Sequence, residues 1–234
     1  MSALGRDLGT VLGIWAHPDD ETYLCGGIMA AAVQAGSRVV CVTATRGELG
    51  STDPARWPAG PELAGIRTVE LDNALRHLNV TEHHWLDYAD GACADVDDGE
   101  VVERLRAIAA DVQPDTVLTF GPDGMTGHPD HQAVSRWTVK AIGGDAPVHF
   151  ATNTPEWLAA WRPRLDAVGA FMGAEPPCSP VDELSIHVVL DGALLDAKYA
   201  AITSQISQVE PMYAVFGVDD MRAALAEETF RSSG

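Results

Sequence analysis

The chain has 234 residues, with 34 Asp and Glu against 15 Lys and Arg, a formal net charge of −19. At that charge and a sequence pI near 4.5, nucleic acid and anionic membrane surfaces are excluded as partners, because both are gripped by clustered Lys and Arg. A composition 46% hydrophobic and 21% charged belongs to a globular protein large enough to bury a core without disulfide staples.

Taken in chain order, the apolar runs Thr10–Ala16 and Arg38–Thr43 read as buried strands on either side of a helical window at Gly26–Ala35. Gly47–Pro61 is rich in turn formers and reads as a surface loop. A helix over Glu62–Leu78 and a strand over His83–Tyr88 follow, then a helix over Glu100–Val112 and a strand over Thr116–Phe120. His131–Ile142 reads as a helix and Val148–Ala151 as a strand. A second loop, Gly173–Pro180, precedes a strand at Ser185–Leu190 and a helix at Leu194–Ser207. Strands alternating with helices of this length predict one α/β domain over 1–234: a Rossmann-like, mostly parallel sheet with helices on both faces, plus a small C-terminal strand-helix extension. In the tail beyond Pro211, Tyr213, Phe216 and Phe230 read either as cover for the core or as contacts of a homo-oligomer.

The four cysteines, Cys25, Cys41, Cys93 and Cys178, are far apart and form no C-x-x-C pair, so neither a disulfide framework nor a thiolate zinc site is expected. The apolar run ending at Ala16 is too short for a signal-peptide core, and nothing approaches the roughly 20 apolar residues of a membrane span. A cytoplasmic location is the expectation.

Two clusters carry chemistry. The first, His17-Pro18-Asp19-Asp20-Glu21, follows the first strand directly. Ligands of open parallel sheets bind beyond the carboxyl ends of strands, and packed carboxylates repel one another unless a cation sits among them. Read alone, the cluster is also a solvated acidic loop with Asp19 or Asp20 as a helix N-cap. The second, His128-Pro129-Asp130-His131, takes the same topological position after a later strand. Together they offer two imidazoles and one carboxylate of an open metal site, with a position left for water. Zinc suits that donor set, and the same triad also serves Fe(II).

With AHPDDE at 16–21 and GHPDH at 127–131, the chain resembles the LmbE-like, or PIG-L, family of zinc-dependent N-acetylglucosamine-type deacetylases. Thr45-Arg46-Gly47-Glu48, Arg67 with Glu70, and Lys198 with Ser204-Gln205 fit the same pattern, so the resemblance runs from about residue 10 to about 210. It implies His17, Asp20 and His131 as zinc ligands, with Asp19 as general base. It implies His128 as the group that stabilises the oxyanion or protonates the leaving amine, with Asp130 orienting it. Arg67, Glu48 and Asp90 are implied near the sugar. The expected substrate is a small amino sugar or glycoconjugate carrying an N-acetyl group. Amidases of larger N-acyl or thiol-conjugate substrates would use the same set, and a non-catalytic metal-binding module would lack Asp19 or His128. Thr126 stands where some relatives carry a tyrosine, and Thr203 where many carry a histidine. Trp57 in the first loop reads as a stacking residue for a sugar or as an anchor for the loop.

Overall fold

The computed structural model describes residues 8–234. Four consecutive β-branched runs form parallel strands: β1 (Val11–Trp15), β2 (Val39–Thr45), β4 (Thr116–Phe120) and β5 (Val148–Ala151), joined by the edge strand β3 (Glu82–Tyr88). Strands β1, β2 and β4 are buried along their whole length, as parallel strands covered on both faces must be. Two further strands, β6 (Leu184–Val189) and β7 (Glu227–Ser232), run antiparallel and give a seven-stranded sheet of order β3-β2-β1-β4-β5-β7-β6. The expected C-terminal strand-helix unit is present, its strand being β6, and the end of the chain ties it to the sheet. The last strand, β7, inserts between β5 and β6 and pairs Phe230 with Ala151 and Ile186.

Among the described residues eight helices connect the strands: α1 (Asp20–Gln34), α2 (Pro61–His77), α3 (Asp98–Val112), the single turn α4 (Gly124–Gly127), α5 (Pro129–Ile142), α6 (Pro155–Ala167), α7 (Gly192–Thr203) and α8 (Ile206–Leu225). The expected helix at Gly26–Ala35 begins six residues earlier, at Asp20, so the first acidic cluster lies on its opening turn. The helix expected over Leu194–Ser207 stops at Thr203. Gln205 leaves helical geometry there (φ −95°, ψ 61°) and the chain turns into α8. Phe216 and Phe230 are buried in the core rather than presented to solvent. All four cysteines are free, and among the described residues no helix is long and apolar enough to cross a membrane.

The loop between β2 and α2 is strapped to the start of α8. Thr52 Oγ1 donates to Ser207 O at 2.5 Å, Gln208 Nε2 donates to Gly50 O at 3.0 Å, and Arg56 pairs with Glu210 at 2.5 Å. Trp57 anchors this loop: its indole N–H is buried and the Arg56 guanidinium lies 4.5 Å over its ring.

At the far edge of the sheet, His83 faces Thr43 Oγ1 at 2.9 Å. Burial, reinforced by the charges of His84 and Arg46, pushes its pKa down to about 4. The unfolded chain binds a proton near pH 6.5 that the folded chain refuses until about 4, so stability falls as the pH is lowered through that window. The expected result is that a His83→Gln variant loses less of its Tm than the wild type between pH 7 and about 4. Parallel Tm–pH curves for the two proteins would remove His83 as the cause.

Candidate metal and catalytic site

The two clusters meet where β1 and β4 end. His17 follows β1, and Asp20 opens α1. His131 lies in the first turn of α5, where Pro129 takes a position whose missing N–H costs nothing. Its Nδ1 donates to Gly124 O at 2.9 Å, with Thr126 Oγ1 at 3.3 Å, and Phe120 stacks on its ring at 4.0 Å between centroids. His17 Nε2 lies 3.2 Å from Asp130 Oδ2 and 3.1 Å from Asp90 Oδ1. Each imidazole thus gives one N–H to a protein acceptor and turns its other nitrogen into a shared gap. His17 Nδ1 and His131 Nε2 face each other there at 3.1 Å.

The Asp20 carboxylate closes the gap, 3.4 Å from His131 Nε2 and 3.7 Å from His17 Nδ1, while accepting the His17 backbone N–H at 2.7 Å. Tetrahedral ligands about 2.0–2.1 Å from a zinc ion lie about 3.3 Å from one another, and the three side chains approach that spacing, Asp20 through Oδ1 toward His131 and Oδ2 toward His17. The donor set fits as well, since two facing nitrogens with their protons spent elsewhere require a cation between them. Without a metal, a proton fills that need. Burial works against charge on His17, but hydrogen bonds to Asp130 and Asp90 outweigh it and carry the pKa up to about 10. Burial, by contrast, pushes His131 down to about 4.

Two other groupings share His17. The ring nitrogens of His17, His128 and His131 lie within 4.8 Å of one another, as do ligand atoms of His17, Asp90 and Asp130. In the latter trio both acids are engaged as hydrogen-bond acceptors. Asp130 takes the N–H groups of Gly91 at 2.7 Å and Cys93 at 3.0 Å, and Asp90 takes that of Leu49 at 2.8 Å. They are placed as outer carboxylates that would fix the His17 tautomer if that imidazole held a metal.

Asp130 therefore supports His17, not His128 as the resemblance implied. His128 is the N-cap of α5, its Nδ1 accepting the Asp130 N–H at 3.1 Å. With Nδ1 an acceptor, its remaining proton sits on Nε2, and the ring lines the cleft. Burial, and then the charge on His17, hold its pKa below the ordinary value. The ring is thereby set as an Nε2–H donor, and the Asp130 carboxylate expected to orient it points to His17.

Asp19 occupies the N-cap position of α1 without capping it. Its backbone has φ 99°, a region most side chains avoid, and its N–H donates to Glu21 Oε2 at 3.1 Å. Burial raises its pKa to about 7 against the pull of Arg67, whose Nη2 lies 3.2 Å away. Arg67 is itself buried and also donates to Pro18 O at 2.5 Å and Gly47 O at 2.9 Å, clamping two loops together. A Cβ on Gly47, which already has φ +66°, would sit 2.2 Å from the Arg67 guanidinium, so only glycine admits this clamp.

The site opens into a cleft of about 560 Å³. Of the three residues expected near a sugar, Arg67 and Asp90 line it, whereas Glu48 stands behind, accepting the Asp90 N–H at 2.9 Å. His77, His83, His84, His149 and His187 lie outside it. The motifs left two things unread. One is the support beneath Asp19, where Gln205 Nε2 donates to Thr22 Oγ1 at 2.8 Å and reaches Glu21 Oε1 at 3.5 Å. The other is the apolar half of the cleft, built from Trp157, Leu165, Phe171 and Met212 in segments without motifs.

An open α/β sheet with two imidazoles and a carboxylate grouped as a candidate metal centre, and a further carboxylate beside them, fits the class of metal-dependent hydrolases. The family model for PIG-L, GlcNAc-PI de-N-acetylase, matches residues 12–142. The chain belongs to this family. It is 34% identical over 269 residues to a 1D-myo-inositol 2-acetamido-2-deoxy-alpha-D-glucopyranoside deacetylase of Streptomyces scabiei, over 95% of this chain and 82% of that one. To a protein of the same name from Kineococcus radiotolerans it is 32% identical over 254 residues, 85% of this chain and 68% of that one. N,N'-diacetylchitobiose deacetylase from Pyrococcus horikoshii shares the fold, with a TM-score of 0.64 at 24% identity over 97% of this chain and 84% of that one.

Proposed function

We propose that the chain is a zinc-dependent N-deacetylase that hydrolyses the acetamide of an amino sugar or its glycoconjugate. The observation that carries the reading is Asp19: a carboxylate on the cleft wall, beside the ligand gap, that neither ligates nor caps and is buried to a pKa near 7. A binding module has no use for such a group, and neither has an Fe(II) oxygenase. The relatives named above as deacetylases of acetamido sugars support the substrate class.

His17, Asp20 and His131 would hold the ion, which supplies a Lewis acid for the amide carbonyl and lowers the pKa of water toward about 7. Asp19 takes the proton of the attacking water, held in place by Arg67 and Glu21. His128, with its N–H on Nε2, donates toward the oxygen that gains charge as the amide carbon becomes tetrahedral. The proton on Asp19 is then available to the departing nitrogen, which leaves as an amine while acetate remains. Arg67 and Asp90 border the space for the sugar. The polar balance of the chain favours a neutral or cationic sugar over a phosphorylated one.

Acetate release from N-acetylglucosaminides is the test. Zinc-loaded protein is expected to release it, chelated protein to lose the activity, and added zinc to restore it. Undiminished release by metal-free protein would overturn the metal assignment, and restoration by Fe(II) but not zinc would correct its identity.

A further inference from the structure

A second cavity, of about 110 Å³, lies against the inner wall of the cleft. Tyr23, Leu24, Met125, Asn153, Trp157 and Met212 border both spaces, so the two adjoin. Its closed end is formed by Phe216, Met221, Ala224 and Leu225 of α8, none more than 9% exposed.

The polar residues that border this annex beyond its mouth already have partners. Glu228 accepts the N–H groups of Gly27 and Ile28 and pairs with Lys198. Glu227 accepts from Thr154 Oγ1 and His187 Nε2. Thr229 Oγ1 donates to Thr152 O, and Thr152 Oγ1 is bonded to Ser179. A water molecule needs two to four polar partners to be held, and most polar groups beyond the mouth are spent on the protein itself, so the apolar wall of Leu24, Leu165, Phe216 and Met221 suits an apolar occupant. A cavity of about 150 Å³ with such walls accepts benzene, so this one has room for about four carbon atoms. Three of its methionines, Met125, Met212 and Met221, can adjust to a flexible chain.

The sheet order says which part of a substrate reaches it. Asp90 and Gly91 enter the cleft from the β3 side, and the annex lies beneath β5 and β7. The metal ligands, at the ends of β1 and β4, stand between. An amide carbonyl placed at those ligands sends one substituent toward the polar side and the other toward the annex.

We propose that the annex receives the aliphatic end of an acyl group longer than acetyl, so that butanoyl to hexanoyl amides of amino sugars are substrates of the same centre. This rests on the amide-hydrolase reading above. The reaction balances as it does for acetyl: water adds its oxygen to the acyl carbon, the C–N bond breaks, and the nitrogen leaves as the amine with a proton relayed from that water. The annex changes binding alone.

The test is amine release by the zinc-loaded full chain from N-acetyl-, N-butanoyl-, N-hexanoyl- and N-decanoylglucosamine. The expected kcat/KM rises about fourfold per methylene as the annex fills, the factor that about 0.8 kcal/mol per buried CH₂ implies, and falls at decanoyl. Ala224→Phe, which fills the annex, should leave acetyl release within about twofold and bring hexanoyl release below it. Leu225→Ala, which enlarges it, should move the optimum to a longer chain. Acetyl release without hexanoyl release by the wild type, or a hexanoyl preference that survives Ala224→Phe, overturns the annex assignment and leaves the deacetylase reading intact. No release from any of the four, acetyl included, overturns both.

Discussion

Replacing Asp19 by Asn lowers kcat by about 10²- to 10⁴-fold, the usual contribution of a positioned general base, and leaves the metal content unchanged. Asn is the appropriate substitution because the backbone at 19 holds φ 99°, which Asn tolerates better than Ala does. The side chain is not one of the three that close the ligand gap, so the ion should be retained. What the variant removes is the cleft carboxylate that stands beside the ligand gap, together with a partner of Arg67. Arg67 keeps its bonds to Pro18 O and Gly47 O, so the two loops stay clamped and the Tm should change little. The measurement pairs acetate release with metal analysis on the same sample. Full turnover by the metal-loaded variant would remove Asp19 as the base. Loss of the metal along with activity would show that it contributes to coordination instead.

The parallel half of the fold was legible because its strands are buried on both faces. Val11–Trp15 and Val39–Thr45 read as continuous apolar runs that no surface element imitates. Of the antiparallel strands, β6 was legible as the strand expected at Ser185–Leu190, but β7 was not. β7 reads Glu-Glu-Thr-Phe-Arg-Ser, a polar stretch whose Glu228 is buried only because Lys198 and two backbone N–H groups of α1 await it from distant parts of the chain. α6 and α8 hid behind Pro163 and Pro211, which ordinarily end helices and here lie inside them, and behind Gly217, where α8 is kinked (φ 66°, ψ 175°). At the site, the grouping of His17, Asp20 and His131 was legible because each cluster is local and sits at a strand end. The partner of Asp130 was not: adjacency suggested His128, but the fold turns the carboxylate to His17 and leaves its backbone N–H for His128. Periodicity and spacing carry local order, while pairings made across the sheet have no local trace.

The largest effect on stability is expected at one such pairing. Lys198 and Glu228 are both fully buried, 2.8 Å apart, and the ammonium has no other partner among the described residues. The carboxylate also accepts N–H bonds from Gly27 at 2.8 Å and Ile28 at 2.7 Å. Those two donors are free because α1 breaks at Cys25 (φ −146°, ψ 19°), which makes Gly26 onward a fresh helix start. Glu228 caps that start from β7, and Lys198 neutralises it from α7. The close approach depends on small residues, since a Cβ on Gly27 would lie 2.3 Å from Leu190. Lys198→Met keeps the bulk of the side chain and leaves the carboxylate charged and unpaired, at a cost of about 3–5 kcal/mol. For a chain of this size that is a Tm lower by about 10 °C. Adding Glu228→Gln removes the stranded charge while its carbonyl oxygen can still accept an N–H, so the double variant should regain more than half of the loss. The cycle separates two costs that a single substitution confounds, the buried charge and the missing cap. A single variant as stable as the wild type would show that the helix start alone holds the carboxylate. A double variant less stable than the single would mean that the cap, and not the ion pair, carries the junction between α1 and β7.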